Sequence, residues 1–289
     1  MFRRLAVSKA MKLWACSTVS PFGGDEPQFR FPRRLAWLAA MLFASLPVLS
    51  IWAADLADTV SKVKASVVAV GTVQPARQPP AEFLATGFVI AQGQHVVTNA
   101  HVLPAMLDPQ GKETLAIFIG HGQQVESRKA IKVAIDPIHD LALLKFEGPP
   151  LPPLRLGESR PLREGHAVAF TGFPLGVVLG LFPVTHTGIV SAISPIAIPA
   201  AVAAQLDGPT LKRLREEPYE VLQLDAIAYP GNSGSPLYEP YTGRVVGVVN
   251  KVFVQESKEA ALERPSGISY AIPVRHVQAL LKRAGVPSG

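Results

Sequence analysis

In the body of this chain the apolar residues fall in short runs broken by Gly, Pro, Asn and Asp, and seldom at helical spacing. Leu56, Val60 and Val63 share one face of a short helix predicted over Asp55–Lys64. Val67–Val73 then reads as a buried strand. After the proline-rich loop 75–80, Phe83–Ile90 and Gln94–Thr98 read as a hairpin turning at Gln92-Gly93. Further strands are predicted at Leu115–Ile119, Gln124–Ile135 and Leu141–Phe146. Gly148–Pro153 is a stiff connector, with four prolines in six residues. A second set follows at His166–Thr171, Thr185–Ile193, Val221–Ile227, Arg244–Val254 and Gly267–Ile272, with a helical insertion expected near 198–217. Val277, Leu280 and Leu281 give a closing helix over 274–284 its apolar face. No helical stretch is long enough to cross between parallel strands, so the expectation is all-β: two antiparallel barrels and a C-terminal helix.

Charge removes one class of partner. The 289-residue chain carries a net +6, but residues 1–54 hold +5 of it and residues 55–289 only +1. A nearly neutral body offers no field for a polyanion, so no nucleic-acid partner is expected. The one cysteine, Cys16, lies in the basic leader, so the body can use neither a thiolate nor an internal disulfide. No histidine pair shows i, i+4 spacing with a carboxylate, so no metal or other cofactor is expected.

The leader suggests export. Arg33-Arg34 precede an apolar run, residues 35–54, that resembles a signal peptide and is also close to bilayer length. Cleaved signal and retained inner-membrane anchor both stay open. Either places the body outside the cytoplasm, periplasmic or extracellular. The apolar loop 175–183 is expected to pack inward, to mediate self-association as a homo-oligomer, or to touch a membrane.

Chemistry enters with Gly231-Asn232-Ser233-Gly234-Ser235-Pro236-Leu237. Glycines on both sides let a serine sit on a sharp turn, its hydroxyl exposed and backbone N–H groups aimed into one space. Alone, this stretch is an ordinary turn between strands. Upstream, Val96–Val102 places His101 just past a strand, and Asp136–Leu144 places Asp140 at the mouth of an apolar strand. His, Asp and Ser in that order supply a base, its orienting carboxylate and a nucleophile. His139, next to Asp140, is expected to face the surface.

The segments TNAHV, DLALLK and GNSGSPL are similar to the signature segments of trypsin-like serine proteases of the HtrA/Deg family. So are TGFVI, GFPLG, TGIVS and GISYAIP, all in order between about Ser66 and Pro273. The resemblance implies two six-stranded chymotrypsin-like barrels, about 55–148 and 154–273, and a protease acting on unfolded or exposed polypeptide, with a quality-control role. It makes His101 the general base, Asp140 its orienter and Ser233 the nucleophile. The N–H groups of Gly231 and Ser233, aided by that of Asn232, would form the oxyanion hole. Asn250, Lys251 and Val252 would pair with substrate, and Ala228, Tyr229 and Pro230 would wall a pocket for aliphatic side chains. Ser235 departs from the family's usual second glycine. The few residues after Pro273 leave room for the closing helix, so regulation by a PDZ module is not expected of this chain. The alternatives are a peptide-binding module that no longer cuts and a latent protease awaiting a partner. An esterase is disfavoured, because no G-x-S-x-G elbow is present.

Overall fold

A computed structural model describes residues 55–289 apart from 123, 159–161, 175–179, 197–207, 209–217, 251–267 and 289. The leader, most of the expected helical insertion, and Lys251 and Val252 lie outside the described residues. Helix α1 (Leu56–Lys64) opens the body, with Asp55 accepting the Ala57 N–H at its start. Six strands follow: β1 (Val67–Val73), β2 (Ala81–Ile90), β3 (His95–Asn99), β4 (Thr114–His121), β5 (Gln124–Asp136) and β6 (Leu141–Phe146). Six more come after the connector: β7 (Ala167–Gly172), β8 (Val184–Pro195), β9 (Glu220–Asp225), β10 (Pro236–Tyr238), β11 (Val245–Asn250) and β12 (Ile268–Pro273). Helix α2 (Val274–Arg283) closes the chain.

The strands close into two antiparallel six-stranded barrels. Their orders are β1-β2-β3-β6-β5-β4 and β7-β8-β9-β12-β11-β10, the same ring read twice. Closure leaves no unpaired sheet edge. One strand is absent from the sequence reading: β10 has three residues and begins at a proline, too short to give a period.

Side-chain parity explains the near-continuous apolar runs. Val68 and Val70 point into barrel one with Val89, Val96, Ile117 and Leu144. Their neighbours Val67 and Ala69 face the opposite way, into a second cluster that also holds Tyr238, Val245 and Ile272 of barrel two and Leu280 and Leu281 of α2. A strand buried on both faces has no polar side to alternate with. Barrel two has its own interior around Phe170, Val190, Leu224 and Val249. The connector runs along both barrels: the Leu154 N–H donates to the Val89 carbonyl, and Val245 and Arg155 are joined by a backbone bond.

In the apolar stretch 175–183, residues 175–179 are outside the described set; Leu181 is buried and Phe182 is 55% exposed. Among the described residues no helix is long and apolar enough to cross a membrane.

Candidate active site

The site lies where residues from both barrels meet. Barrel one supplies the end of β3 and the β5–β6 turn. The last β3 pair is Asn99 with Leu141, so the chain leaves the sheet as Ala100-His101. Three bonds then fix the turn to it: the Ala100 N–H and the Asn99 amide both donate to the Asp140 carbonyl, at 3.1 and 2.9 Å, and the His101 N–H donates to Asp140 Oδ1 at 2.8 Å. With its backbone so held, Asp140 places Oδ2 2.6 Å from His101 Nδ1. The Nδ1–H donates to the carboxylate, which leaves Nε2 with the lone pair. Asp140 adopts φ +49°, a left-handed conformation that costs a non-glycine residue about 1–2 kcal/mol.

Barrel two adds a third group. Asn250, the last residue of β11 and 1% exposed, donates from Nδ2 to Asp140 Oδ2 at 2.8 Å. The substrate pairing expected of Asn250 is a main-chain role; its side chain adds a second one, a bond to the Asp140 carboxylate that the sequence reading did not name. An amide at the end of an apolar strand carries no local signal for that role, because its partner lies 110 residues away.

Ser233 is held by backbone bonds on both sides. Pro230 and Gly231 form a turn closed by the Asn232 N–H donating to the Tyr229 carbonyl at 3.0 Å. Gly231 has φ +97° and Gly234 φ +84°, as sharp turns require. Gly234 is doubly constrained, since a Cβ there would meet the Thr86 carbonyl oxygen at 2.1 Å. Thr86 ties the turn to barrel one: its N–H donates to the Ser233 carbonyl at 3.0 Å and its hydroxyl to the Gly231 carbonyl at 2.7 Å. On the other side the Gly234 N–H donates to Val249, the residue before Asn250. These bonds turn the carbonyls inward. Among the described residues the N–H groups of Gly231 and Ser233 donate to no backbone carbonyl. The Asn232 N–H, expected to aid them, is already engaged with Tyr229 and is withdrawn from that role. No hydrogen bond among the described residues joins His101 to Ser233, whose residue is 6% exposed.

Beneath the turn lie polar atoms without partners. Both amide atoms of Asn232 and the Ser235 hydroxyl are buried and unpaired. Ser235 fits because position 172 is glycine: a Cβ there would lie 2.0 Å from Ser235 Oγ and 2.8 Å from Asn232 Oδ1. The segment leading to the turn is pinned by Ser269, which accepts from the Ala228 N–H and donates to the Ala226 carbonyl, both at 2.7 Å. Ala228 is buried, while Tyr229 and Pro230 are half-buried.

His139 does not face the surface as its neighbourhood to Asp140 suggested. It is half-buried, and its N–H and Nδ1 both bond to Asp136, at 3.1 and 2.8 Å. The chain does not run on as a strand there but turns, which redirects the side chain. His186 packs on Phe170 at 4.9 Å, and burial lowers its pKa. Among the described residues no group of three or more His, Cys, Asp or Glu side chains is placed to hold a metal ion.

Two six-stranded antiparallel barrels, with a His–Asp pair from one and a glycine-flanked serine from the other, define the chymotrypsin-like class. The family model of the trypsin-like peptidase domain matches residues 85–248, and the chain belongs to that family. A probable periplasmic serine endoprotease, DegP-like, from Halomonas elongata is 31% identical over 191 residues, covering 66% of this chain and 33% of that protein. Its counterpart from Pseudomonas fluorescens is 32% identical over 199 residues, covering 68% and 34%. The chain thus spans about a third of the length of these relatives. A solved HtrA-type protease, AlgW with a tripeptide, shares the fold with a TM-score of 0.57 at 22% identity, over 79% of this chain and 62% of that one. Together they bear out the HtrA/Deg resemblance of the motifs.

Proposed function

We propose that this chain is a serine endopeptidase domain using Ser233 as nucleophile, His101 as general base and Asp140 as its orienter. The observation that carries the reading is the hydrogen-bonded line Asn250–Asp140–His101, tied through Val249, the neighbour of Asn250, to a glycine-flanked serine turn with two undonated N–H groups. In this mechanism Ser233 Oγ attacks the scissile carbonyl carbon and its proton passes to His101 Nε2. The negative oxygen of the tetrahedral intermediate accepts from the Gly231 and Ser233 N–H groups, each such donor being worth roughly 10²–10³ in rate. Imidazolium then gives its proton to the leaving amine, and the acyl–Ser233 ester remains. Water deprotonated by His101 attacks that ester, releasing the acid and restoring the hydroxyl.

The substrate is unfolded or exposed polypeptide, lying as an added strand beside the end of β11. The segments 226–230 and 268–270 carry no carboxylate, which favours aliphatic over basic side chains in the pocket they wall. The relatives' periplasmic naming and the Arg33-Arg34 leader support export to the periplasm and a quality-control role there.

The test compares the full chain with Ser233→Ala on unfolded casein. Cleavage by the wild type and its loss in the variant are expected; equal cleavage by both would overturn the assignment. If the wild type is inert, a fluorophosphonate probe decides. Labelling of Ser233 then means an assembled site lacking its substrate, and no labelling means a latent or non-cleaving fold.

A further inference from the structure

At His139, the residue before Asp140, rings from three elements meet. His139 of the β5–β6 turn stacks on His276 of α2, centroids 3.9 Å apart and planes 24° from parallel. Tyr219, just before β9, tilts against His139 at 4.7 Å and meets His276 at 5.2 Å. Burial, with the charges of Asp140 and Asp136 nearby, pushes the Tyr219 hydroxyl far above its ordinary range, so it stays neutral. Burial, then the nearness of His139, lowers the His276 pKa to about 3. His276 is therefore an uncharged flat ring, and its buried Nε2 has no partner.

Helix α2 grips the same turn at a second point. Arg283 donates to Asp136 Oδ2 at 2.5 Å, the carboxylate that already holds His139. His276 and Arg283 are seven residues apart, so they lie on one stripe of the helix about 10 Å from each other. A rigid rod thus brackets the turn that carries Asp140. A left-handed aspartate persists only where its surroundings over-determine it. Ala100, Asn99, His101 and Asn250 hold the carbonyl and carboxylate of this one, while the residue before it, His139, is held by Asp136, Tyr219 and His276. Apolar filling alone does not explain the ring: a buried imidazole nitrogen left unpaired is unfavourable, and a leucine would fill the volume without it.

We propose that His276, acting through the face of His139, is a positioning residue that keeps the Asp140 carboxylate aimed at His101. The inference rests on the triad reading above. A shift of the carboxylate by about an ångström is enough to lose up to about 10²-fold in rate.

The test uses the full chain with His276→Leu, His276→Phe and His276→Ala. Rates on a peptide substrate are divided by the concentration of sites titrated with a fluorophosphonate, so that misfolded protein does not count. His276→Leu is expected to lower kcat about tenfold with KM changed less than about twofold, and His276→Phe, which keeps a flat ring, to restore kcat. His276→Ala is expected to fall at least as far as the leucine variant; if it fails to fold, the Leu and Phe pair decides. Wild-type kcat per titrated site in His276→Leu would overturn the proposal, whatever its melting temperature, and so would equal losses in Leu and Phe. A wild type that neither cleaves nor labels with the fluorophosphonate, or an active Ser233→Ala, would instead sink the triad reading beneath it.

Discussion

Barrel one and barrel two share a ring order, yet they present their parts of the site by opposite means. In barrel one the residues leave the ends of paired strands: Asn99 and Leu141 are the last register pair, and His101 and Asp140 stand one or two residues beyond it. Their polar atoms are bonded to each other and to the backbone. In barrel two the serine stands on a turn between β9 and β10, shaped by Pro230 and three positive-φ or close-packed glycines, with unpaired polar atoms buried below it. One topology therefore hosts a charged half bonded around its carboxylate, with Asn99 Oδ1 left unpaired beside it, and a neutral, under-bonded half with three unpaired side-chain atoms at its serine turn. The lesson is that the barrel fixes where strand ends go, while the chemistry depends on what each connection does with its hydrogen bonds.

The two halves differ most where the charged one loses its carboxylate. Asp140→Asn keeps the side-chain shape but offers an N–H to a ring nitrogen that needs an acceptor. Its kcat should fall by about 10⁴ with folding unchanged, measured on a peptide substrate beside thermal unfolding. A loss below about tenfold would mean the carboxylate is not the orienter.

Next in size is Asp136→Asn. Asp136 is 4% exposed, and burial opposes its charge, but the hydrogen bonds from His139 and Arg283 outweigh that and hold its carboxyl well below the usual range. Arg283 is 55% exposed and screened by water, so losing the charge at Asp136 should cost about 1–2 kcal/mol. A carboxylate depressed in the folded state stabilises fully above its unfolded pKa of about 4, and that contribution drains as pH falls below it. Urea unfolding should therefore show the widest gap between wild type and variant at neutral pH, narrowing under acid. A gap constant with pH would show that the charge is not what the turn depends on.

The smallest effect is expected in the under-bonded half. Ser235→Ala removes a buried hydroxyl that bonds nothing, so stability should hold or rise by up to about 1 kcal/mol. Destabilisation beyond that in the same urea experiment would mean the hydroxyl has a partner, and the contrast between the barrels would weaken.

Much of this was legible along the chain. Short apolar runs with turn residues between them gave the strands of both barrels, because a strand's period is local and needs no partner to be seen. His101, Asp140 and Ser233 stood out as candidates because glycines and strand ends mark where side chains escape a sheet, and because the segments around them resemble the family's motifs. Other features were not. β10 is too short to show a period, and its pairing with β7 and β11 is what makes it a strand. Asn232 looked like an oxyanion donor until the Tyr229 carbonyl took its N–H. His139 looked exposed on the assumption that a strand continued through it.

By itself, then, the sequence determined the element types, the order of the chemical groups and the near-neutral body, since these follow from local periodicity and composition. Only the tertiary structure decided which groups touch. Asn250 meets Asp140 across 110 residues and His139 meets His276 across the barrel–helix seam. Such contacts are set by how closed barrels and a terminal helix pack, and no local pattern encodes the far partner of a hydrogen bond or a stacked ring.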